Sequence, residues 1–578
     1  MSQIIARRSD HPAYLDRSDW WRSAVTYQIY LRSFADGNGD GTGDLTGVIN
    51  RLPHLVALGV DAVWFNPWYP SPLNDGGYDV ADYRAIHPDF GTLEQADELI
   101  KLVHEAGMKI LIDLVPNHCS DQHPWFVEAL AAGPGSPERD RFIFRDGEGP
   151  DGDEPPTNWT ALFGGSTWQR VIGADGRAEQ FYLHLFDPTQ PDFNWQNADV
   201  IAEFDKTLLF WFDRGIDGFR IDVADSMSKD LDFPDMPIDP RTGIGTLEKY
   251  EGSPVFDHPG VHEIHRRWRR IADEYADSDL GPRVFVSEAW LTPAPRLAKY
   301  VRPDELHMTF NFDALSCAWE AESQRLVIDA TRSAMSEVGA PCTWVLANHD
   351  TIRPVTRYGK AVSGRRHVRQ ADGSDALDPD TDLLPQDLEA LPTDVELGRR
   401  RARAAALLEL ALPGGAYIYQ GDELGLAEVE DLPVDALQDP TWERSGHVVR
   451  GRDGCRVPLP WSGESSPYGF GGAPWLPQPS GWAPLTAAAQ EADGTSTLTL
   501  YRQALEIRRR HPALGDGDMA WDDAGATVLS FSREPGFRCV VNFGPAPVSL
   551  PVEAEVLLAS GDLHDRQLQT DQAVWLAI

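Results

Sequence analysis

The segment GFRIDV, residues 218–223, decides the fold, because it places Arg220 and Asp222 on a short run that is otherwise apolar. Three runs of similar character precede it and four follow it: VTYQIYLRSF from Val25, DAVWFNP from Asp61, KILIDLVPNH from Lys109, VFVSEAW from Val284, HMTFNF from His307, TWVLANHD from Thr343 and AYIYQG from Ala416. Short apolar runs that are nearly continuous predict strands buried on both faces of a parallel sheet.

Helical patterns lie between several of these runs. The segment TLEQADELIKLVHEAG has Thr92 as a helix N-cap and Gly107 as a stop, and segments 199–214, 260–276 and 397–412 repeat apolar residues with a helical period. Eight strands that alternate with helices predict an α/β fold, the (β/α)8 or TIM barrel. In that fold the active site lies at the carboxyl ends of the strands.

Two parts of the chain depart from this alternation. About 100 residues separate the third strand from the fourth, far more than an ordinary connection, so we predict an inserted subdomain over residues 119–187. Near the carboxyl end, ATVLSFSRE, RCVVNFG and AVWLAI alternate like antiparallel strands with no helices between them. They predict a C-terminal antiparallel β-sandwich domain over residues 512–578, and residues 1–118 and 188–511 are left for the barrel.

The composition limits the partners of this chain. Acidic residues outnumber basic ones by 90 to 51, and the net charge of −39 repels phosphate backbones, so no nucleic-acid partner is expected. The sequence has no apolar run of about 18 residues, and its amino-terminal stretch lacks the apolar core of a signal peptide. With five cysteines and no pairing motif, we expect reduced thiols in a cytoplasmic protein with no membrane partner, either a monomer or a small homo-oligomer.

Polar residues stand where the predicted barrel strands end. One interpretation is a set of structural salt bridges at the barrel rim. The convergence of three carboxylates, two histidines and an arginine on one face favours a functional site instead. The residues are Asn117, His118, Arg220, Asp222, Glu288, Asn348, His349 and Asp350.

Three carboxylates in one cavity suit retaining glycoside hydrolysis. That reaction needs an ionised carboxylate as nucleophile and a protonated carboxyl group as acid, about 5–5.5 Å apart. Arg220 lies two positions before Asp222 on one strand, so both side chains point to the same face. We therefore predict that Arg220 holds Asp222 in its charged form, while crowding by other carboxylates raises the pKa of the acid.

These motifs together resemble a known family. GFRIDV, SEAW and ANHD, preceded by DLVPNH and by QPDFN at residues 190–194, resemble the short motifs of the α-amylase family of glycoside hydrolases, in the same order and at barrel-strand positions. QPDFN is similar to the signature of the oligo-1,6-glucosidase subfamily, which usually has Leu where this chain has Phe193. The resemblance extends from about Trp20 to the C-terminal β-domain, and it implies that the substrates are small α-glucosides.

The resemblance implies a role for each strand-end residue. Asp222 matches the nucleophile, Glu288 the acid/base and Asp350 the third carboxylate, which binds sugar hydroxyls and distorts the reacting ring. His118 and His349 match histidines that hydrogen-bond the same sugar and stabilise the transition state.

Further residues match the walls of the family's glucose pocket. Tyr78 in GGYDVADY matches the aromatic platform under the ring, and Phe163 and Phe186 resemble pocket-wall aromatics. In exo-acting relatives, an Asp after the GY turn and an Arg in a GRDG-type motif bind the non-reducing glucose; here these are Asp79 and Arg452. Such a pair predicts a blind pocket that releases single glucose units, and the alternative is a structural ion pair.

The loop DGNGDGTGDL has the spacing of an oxygen-ligand metal loop. The carboxylates, amide and carbonyl fall at loop positions 1, 3, 5, 7 and 9, although the position-12 glutamate of an EF-hand is replaced by Gly47. Relatives bind Ca²⁺ or Mg²⁺ in this first barrel loop, so the resemblance implies a structural Ca²⁺ (or Mg²⁺); a Gly/Asp turn without metal is the alternative. The expected ligands are Asp36, Asn38, Asp40, Thr42 and Asp44.

The linkage preference and the fate of the glucosyl group stay open. In isomaltase relatives a Val after the nucleophile, here Val223, goes with α-1,6 cleavage, but Phe193 and Cys455 depart from the oligo-1,6-glucosidase pattern and favour α-1,4. We therefore expect an exo-acting retaining α-glucosidase for maltose-like disaccharides and short oligosaccharides. The alternatives are a transglucosylase or sucrose/trehalose-type isomerase with the same carboxylates, and a non-catalytic sugar-binding or transporter-accessory homologue.

Overall fold

A computed structural model of the chain describes residues 18–578 except 174, 240–244, 246–248 and 371–374. Within them, eight parallel strands form one sheet. Each strand lies in a predicted apolar run, and almost every residue in it is buried. In chain order they are β1 (Val25–Ile29), β2 (Ala62–Phe65), β3 (Lys109–Leu114), β4 (Gly218–Ile221), β5 (Val284–Ser287), β6 (Met308–Thr309), β7 (Thr343–Val345) and β8 (Gly415–Tyr419). Their spatial order in the sheet is β7-β8-β1-β2-β3-β4-β5-β6.

The sheet closes on itself. Beside the β6 end, the Asn311 N–H donates to the Thr343 carbonyl at 3.2 Å, which joins the two edge strands. In the register between β3 and β4, Asp113 lies opposite Arg220. This closure confirms the predicted (β/α)8 barrel, and it brings the strand ends together at one mouth.

The helices form where the sequence has caps and a helical period. Thr92 and Gln95 form a capping box at the start of helix Leu93–Glu105, and the helix Leu45–Leu58 ends at Gly59, whose φ of 99° suits only glycine. The other helices are Pro124–Ala132, Ala198–Asp213, Val261–Asp273, Ala294–Ala298, Phe312–Ser316, Ala321–Val338, Pro354–Gly359, Pro385–Ala390, Val395–Ala411, Pro440–Arg444, Ala487–Glu491 and Thr497–Arg510.

An antiparallel sheet lies in the long connection between β3 and β4. Its described strands are Phe144–Arg145, Trp168–Ile172 and Ala178–Leu183, and the last of them is the central one. Trp159 and Trp168 belong to a small hydrophobic core at this sheet. A further ribbon pairs His367–Arg369 with Asp375–Leu377.

The C-terminal part is an antiparallel β-domain, as predicted. One sheet has the order Ala520–Trp521, Val528–Arg533, Phe537–Asn542, Gln572–Ala577, Glu555–Ala559, and a second pairs Val548–Ser549 with Gln567–Leu568. The Trp575 indole N–H donates to the Leu407 carbonyl at 3.0 Å, which attaches the domain to a barrel helix. The exact boundaries at residues 118/119, 187/188 and 511/512 stay predictions.

Two further features follow from the described residues. None of their helices combines the length and the apolar character that crossing a membrane requires. The five cysteines are all buried as free thiols.

Candidate active site

Arg220 is the centre of the site. It lies on β4, fully buried, and its guanidinium group contacts three carboxylates. The NH1 nitrogen lies 2.7 Å from Asp113 Oδ1 and 2.6 Å from Asp222 Oδ1, and NH2 lies 2.7 Å from Glu288 Oε2. The alternation of side chains along β4 and the register with β3 produce this arrangement. Asp222 and Glu288 therefore face each other across one guanidinium group.

One cation serves three carboxyl groups, of which Asp113 and Asp222 are buried and Glu288 is partly exposed. Burial raises the pKa of Asp222 well above its usual value, Arg220 opposes this, and Glu288 and Asp113 add to the rise. Burial likewise raises the pKa of Asp113 to about 7, against the effect of Arg220. The predicted Arg220–Asp222 contact is formed, but the effect of burial on the Asp222 pKa is larger than the effect of Arg220. Since one guanidinium group lies between Asp113 and Asp222, burial favours a proton on one of these two carboxyl groups.

Glu288 has two further donors. The Trp290 indole N–H donates to Oε1 at 3.1 Å, and the Val223 backbone N–H donates to Oε2 at 3.1 Å. Trp290 is itself held by stacking on Phe312, with ring centroids 4.0 Å apart. The Val223 backbone has a φ of 44°, a conformation that a β-branched residue rarely adopts. Both contacts direct the Glu288 carboxyl group toward Asp222.

Asp350 is held as an anion. Its Oδ1 accepts from Arg452 NH1 at 3.0 Å and from Arg456 NH2 at 2.8 Å, and His349 Nε2 lies 3.1 Å from Oδ2. Although burial alone raises the pKa of Asp350, these three neighbours hold it well below its usual value. The pKa shifts of Asp350 and Asp222 therefore have opposite directions because their partners differ.

Tyr78 forms a flat surface in the site. Its ring stacks on His349 with the centroids 5.1 Å apart and the planes 5° apart, and Tyr30 stacks at 5.9 Å from the same His349 ring. The Tyr78 hydroxyl donates to Asp113 Oδ2 at 2.8 Å and accepts from Asn66 at 2.6 Å. Packing and hydrogen bonds thus fix the ring, which is 5 % exposed.

His118 contacts the QPDFN segment. The Gln190 side-chain nitrogen lies 3.2 Å from His118 Nε2 and also donates to Asp75 at 3.0 Å. Phe186 lies against the same imidazole, with ring centroids 4.9 Å apart. Burial lowers the pKa of His118 to about 4, so the ring is neutral at pH 7 and suited to hydrogen-bonding a hydroxyl group.

These side chains line one cavity of about 830 Å³ at the barrel mouth. A volume of this size holds a small oligosaccharide. Arg220 and His349 lie behind its wall and act through the residues they contact. The predicted residues that line it are Tyr78, His118, Phe163, Phe186, Asp222, Glu288, Asp350 and Arg452.

The structure does not bring Asp79 and Arg452 together, either as an ion pair or at the cavity, which Arg452 lines and Asp79 does not. Asp79 is fully buried away from the cavity, where its carboxylate accepts from the Ser71 hydroxyl at 2.7 Å and from the Asn74 N–H at 3.0 Å. Arg452 NH2 instead lies 2.7 Å from Asp75 Oδ1, and Asp75 lines the cavity. The turn at Gly76 and Gly77 therefore directs Asp75 toward Arg452 and directs Asp79 away from it.

The sequence interpretation also missed several contacts. The Phe163 ring lies 5.0 Å from the Arg452 guanidinium carbon and contacts Phe186 edge-on, which places it at the Arg452 end of the cavity. Asp113 had a usable signal, because it interrupts an apolar strand run at the register of Arg220. Gln190 and Trp290 lie in the QPDFN and SEAW motifs but were given no role of their own, whereas Asp75, Asp439 and Arg456 carried no such signal.

The DGNGDGTGDL loop folds back on its own carboxylates. Asp36 accepts backbone N–H groups from Gly41 at 2.8 Å and from Gly472 at 2.6 Å, and Asp44 caps the following helix through Gly47. Burial raises the pKa of Asp44, and the charges of Asp36 and Asp40 add to the rise, which places the three anions near one another. Hard oxygen donors of this kind fit Ca²⁺ or Mg²⁺ better than a transition metal.

Comparison with known proteins decides the family. The α-amylase catalytic domain matches residues 28–373 and 389–517. The chain belongs to the α-amylase family. This confirms the resemblance drawn from its motifs, and the matched residues include every side chain around Arg220.

Individual relatives within the α-amylase family are similar over nearly the whole chain. A probable α-glucosidase of Rhizobium meliloti is 37% identical over 530 residues, which cover 90% of this chain and 88% of the relative. An oligo-1,6-glucosidase of Heyndrickxia coagulans is 34% identical, over 86% of this chain and 87% of the relative.

Solved structures of the family superpose on this chain. The crystal structure of an α-glucosyl transfer enzyme has a TM-score of 0.80 at 33% identity and covers 97% of this chain and 99% of its own. An isomaltulose synthase of Klebsiella also has a TM-score of 0.80, at 30% identity, and covers 96% of this chain and 99% of its own. Hydrolases and glucosyl-transferring enzymes thus share the fold.

Proposed function

We propose that this chain is an exo-acting retaining α-glucosidase that releases glucose from the non-reducing end of maltose-like disaccharides and short α-gluco-oligosaccharides. One observation carries the proposal: Asp222 and Glu288 contact neighbouring nitrogens of the buried Arg220 at the base of a cavity. The two carboxyl groups are close enough to act on opposite sides of one glycosidic bond, as a double displacement requires.

The first displacement uses both groups. The Asp222 carboxylate attacks the anomeric carbon while Glu288 donates its proton to the glycosidic oxygen, and the bond between that carbon and that oxygen breaks. The products are a glucosyl ester on Asp222 and the released sugar, whose new hydroxyl group carries the proton from Glu288. In the second displacement Glu288 takes a proton from water, the water oxygen attacks the anomeric carbon, and the Asp222 carboxylate is released.

The closed end of the cavity supports exo action. Arg452 contacts Asp75, Asp350 and Asp439, so its guanidinium group is fixed by three carboxylates. Charged groups in this arrangement match the hydroxyl groups of a terminal glucose and leave no path for a longer chain on that side. Phe163 packs against the same arginine.

We propose α-1,4 linkages over α-1,6. Val223, which in isomaltase relatives goes with α-1,6 cleavage, also lines the cavity, so the preference for α-1,4 rests on other observations. Support comes from the relative described as a probable α-glucosidase and from the departures from the oligo-1,6-glucosidase pattern. Comparable rates on isomaltose with none on maltose would overturn this preference.

Transfer of the glucosyl group to a sugar is the second candidate function. It is favoured by the similarity to the α-glucosyl transfer enzyme and to the isomaltulose synthase. The deciding experiment is a time course of purified protein with maltose, isomaltose, sucrose and trehalose separately, with each product identified. Glucose without new disaccharides establishes hydrolysis, whereas new disaccharides from the same carboxylates establish transfer.

We also propose that the first barrel loop binds Ca²⁺ or Mg²⁺. Asp36, Asn38, Asp40 and Asp44 would supply side-chain oxygens and Thr42 its carbonyl oxygen. The ion would neutralise the repulsion among these anions and so stabilise the loop. Chelation should then lower the melting temperature, and an unchanged melting temperature with added Ca²⁺ or Mg²⁺ would contradict the proposal.

The remaining proposals concern the cellular setting. We infer a cytoplasmic enzyme, supported by the five buried free thiols, and a monomer or small homo-oligomer. Cell fractionation and light scattering after size-exclusion chromatography test these two points.

A further inference from the structure

A cluster of two histidines and a glutamate lies outside the active site. His262 and His265 are on one face of helix Val261–Asp273, three positions apart, and Glu305 precedes β6. His262 Nδ1 lies 2.8 Å from Glu305 Oε2, and His265 Nδ1 lies 3.8 Å from the same oxygen. One ligand atom from each residue lies within 4.8 Å of the other two.

The second observation concerns His265. Its side chain is completely buried, and neither ring nitrogen makes a hydrogen bond of normal length and angle; Nδ1 lies 3.8 Å from Glu305 Oε2. A completely buried polar side chain without a well-formed hydrogen bond is uncommon, so such a group normally has a use.

The surroundings of Glu305 leave one oxygen directed at the histidines. Its Oε1 accepts from Arg266 NH2 at 3.0 Å and from Arg302 Nε at 3.0 Å. Oε2 faces His262 and His265. The two arginines hold the carboxylate in place from behind, as hydrogen-bonding groups outside a metal's ligands commonly do, although their charge reduces the affinity for a cation.

We propose that His262, His265 and Glu305 form a binding site for Zn²⁺. A tetrahedral zinc ion about 2.0–2.1 Å from each ligand holds the ligand atoms about 3.3 Å apart. The spacings of 2.8 Å and 3.8 Å to Glu305 Oε2 lie on either side of that value, and the two histidine nitrogens, within 4.8 Å of each other, would approach by side-chain rotation as the ion binds.

Zinc binding at this site also requires a fourth ligand and the displacement of one proton. The His262 side chain is 13 % exposed, which gives the ion an entry path and admits a water as fourth ligand. On binding, the proton on His262 Nδ1 that faces Glu305 moves through solvent to Nε2, and the Nδ1 lone pair turns to the metal. The ion would join a barrel helix to the segment before β6, a structural role.

Zinc content and a spectroscopic signature test the site. The full-length enzyme is stripped with a chelator, returned to buffer with excess Mg²⁺ to occupy hard-oxygen sites, and loaded with Zn²⁺; bound metal is counted after gel filtration. We expect about one Zn²⁺ per wild-type chain, a higher melting temperature on loading, and with Co²⁺ the visible absorption of a tetrahedral ion. His265→Leu should lose all three.

Two other variants keep the result decisive. His447 and Glu443 form an exposed pair 3.0 Å apart, so His447→Gln removes an adventitious surface site and should leave the zinc content unchanged. His262→Gln changes a partly exposed residue and decides the question if His265→Leu does not fold. Zinc content equal in wild type, His265→Leu and His262→Gln, or no bound zinc in the wild type, would overturn the proposal.

Discussion

Replacing Asp75 by Asn tests which carboxylate closes the glucose pocket. Asp75 lines the cavity, and its carboxyl group accepts hydrogen bonds from Arg452 NH2 at 2.7 Å and from the Gln190 side-chain nitrogen at 3.0 Å. Asn has the same shape but no charge. Arg452 keeps Asp350 and Asp439 as partners, so it stays in place. The change thus removes an ionised acceptor for the terminal glucose and little else.

The magnitude follows from the bond that is lost. A hydrogen bond to a charged group contributes about 1.5–3 kcal/mol, so kcat/KM for maltose should fall by about 10- to 150-fold. The assay is the initial rate of glucose release over a range of maltose concentrations. Most of the loss should appear in KM if the contact is made equally in the ground state and the transition state.

Asp79→Asn is the matched control, because Asp79 lies four positions away and contacts only its own turn. Its kcat/KM should fall by less than about fivefold, a change below about 1 kcal/mol. If Asp79→Asn lost as much activity as Asp75→Asn at an unchanged melting temperature, the assignment of Asp75 to the pocket end would be refuted.

Three further predictions concern the carboxylate cluster and the turn. Asp222→Asn removes the nucleophile and should lower kcat by more than about 1,000-fold, equivalent to about 4 kcal/mol; an initial rate within tenfold of wild type contradicts the mechanism. Arg220→Lys cannot contact three carboxylates at once, so both kcat and the free energy of unfolding should fall, the latter by about 3–5 kcal/mol in urea titrations; an unchanged unfolding midpoint would show that the cluster does not need its guanidinium group. Burial raises the pKa of Asp79 to about 6, so its folded form keeps a proton that the unfolded chain releases near pH 4, and its contribution to stability falls as pH rises from about 4 to 6. The melting temperature of Asp79→Asn should therefore rise relative to wild type over that interval, and a constant difference would argue against the shift.

The carboxylates of the site were predictable because their placement is local. Arg220 and Asp222 lie two positions apart on one strand, and the period of side chains along a strand puts them on the same face whatever surrounds them. Glu288 and Asp350 follow other strands of the same sheet, and parallel strands end at one mouth. The barrel itself followed from eight apolar runs separated by helical patterns.

The protonation of the cluster was less predictable. The Arg220–Asp222 contact follows from spacing, but burial and the neighbouring Asp113 and Glu288 determine the direction of the Asp222 pKa. Burial is a property of the assembled barrel, and no local pattern of residues reports it.

The sequence by itself therefore determined the barrel, the family and the catalytic carboxylates, since each rests on periodicity or on short motifs. Only the tertiary structure decided which aspartate meets Arg452, because Asp75 and Arg452 are 377 positions apart and Gly76 and Gly77, both at positive φ, turn the chain between Asp75 and Asp79. Only the tertiary structure showed that the buried ring of His265 lies beside Glu305 and His262. Such contacts join distant parts of the chain, so their geometry depends on how whole elements pack and not on the residues next to them.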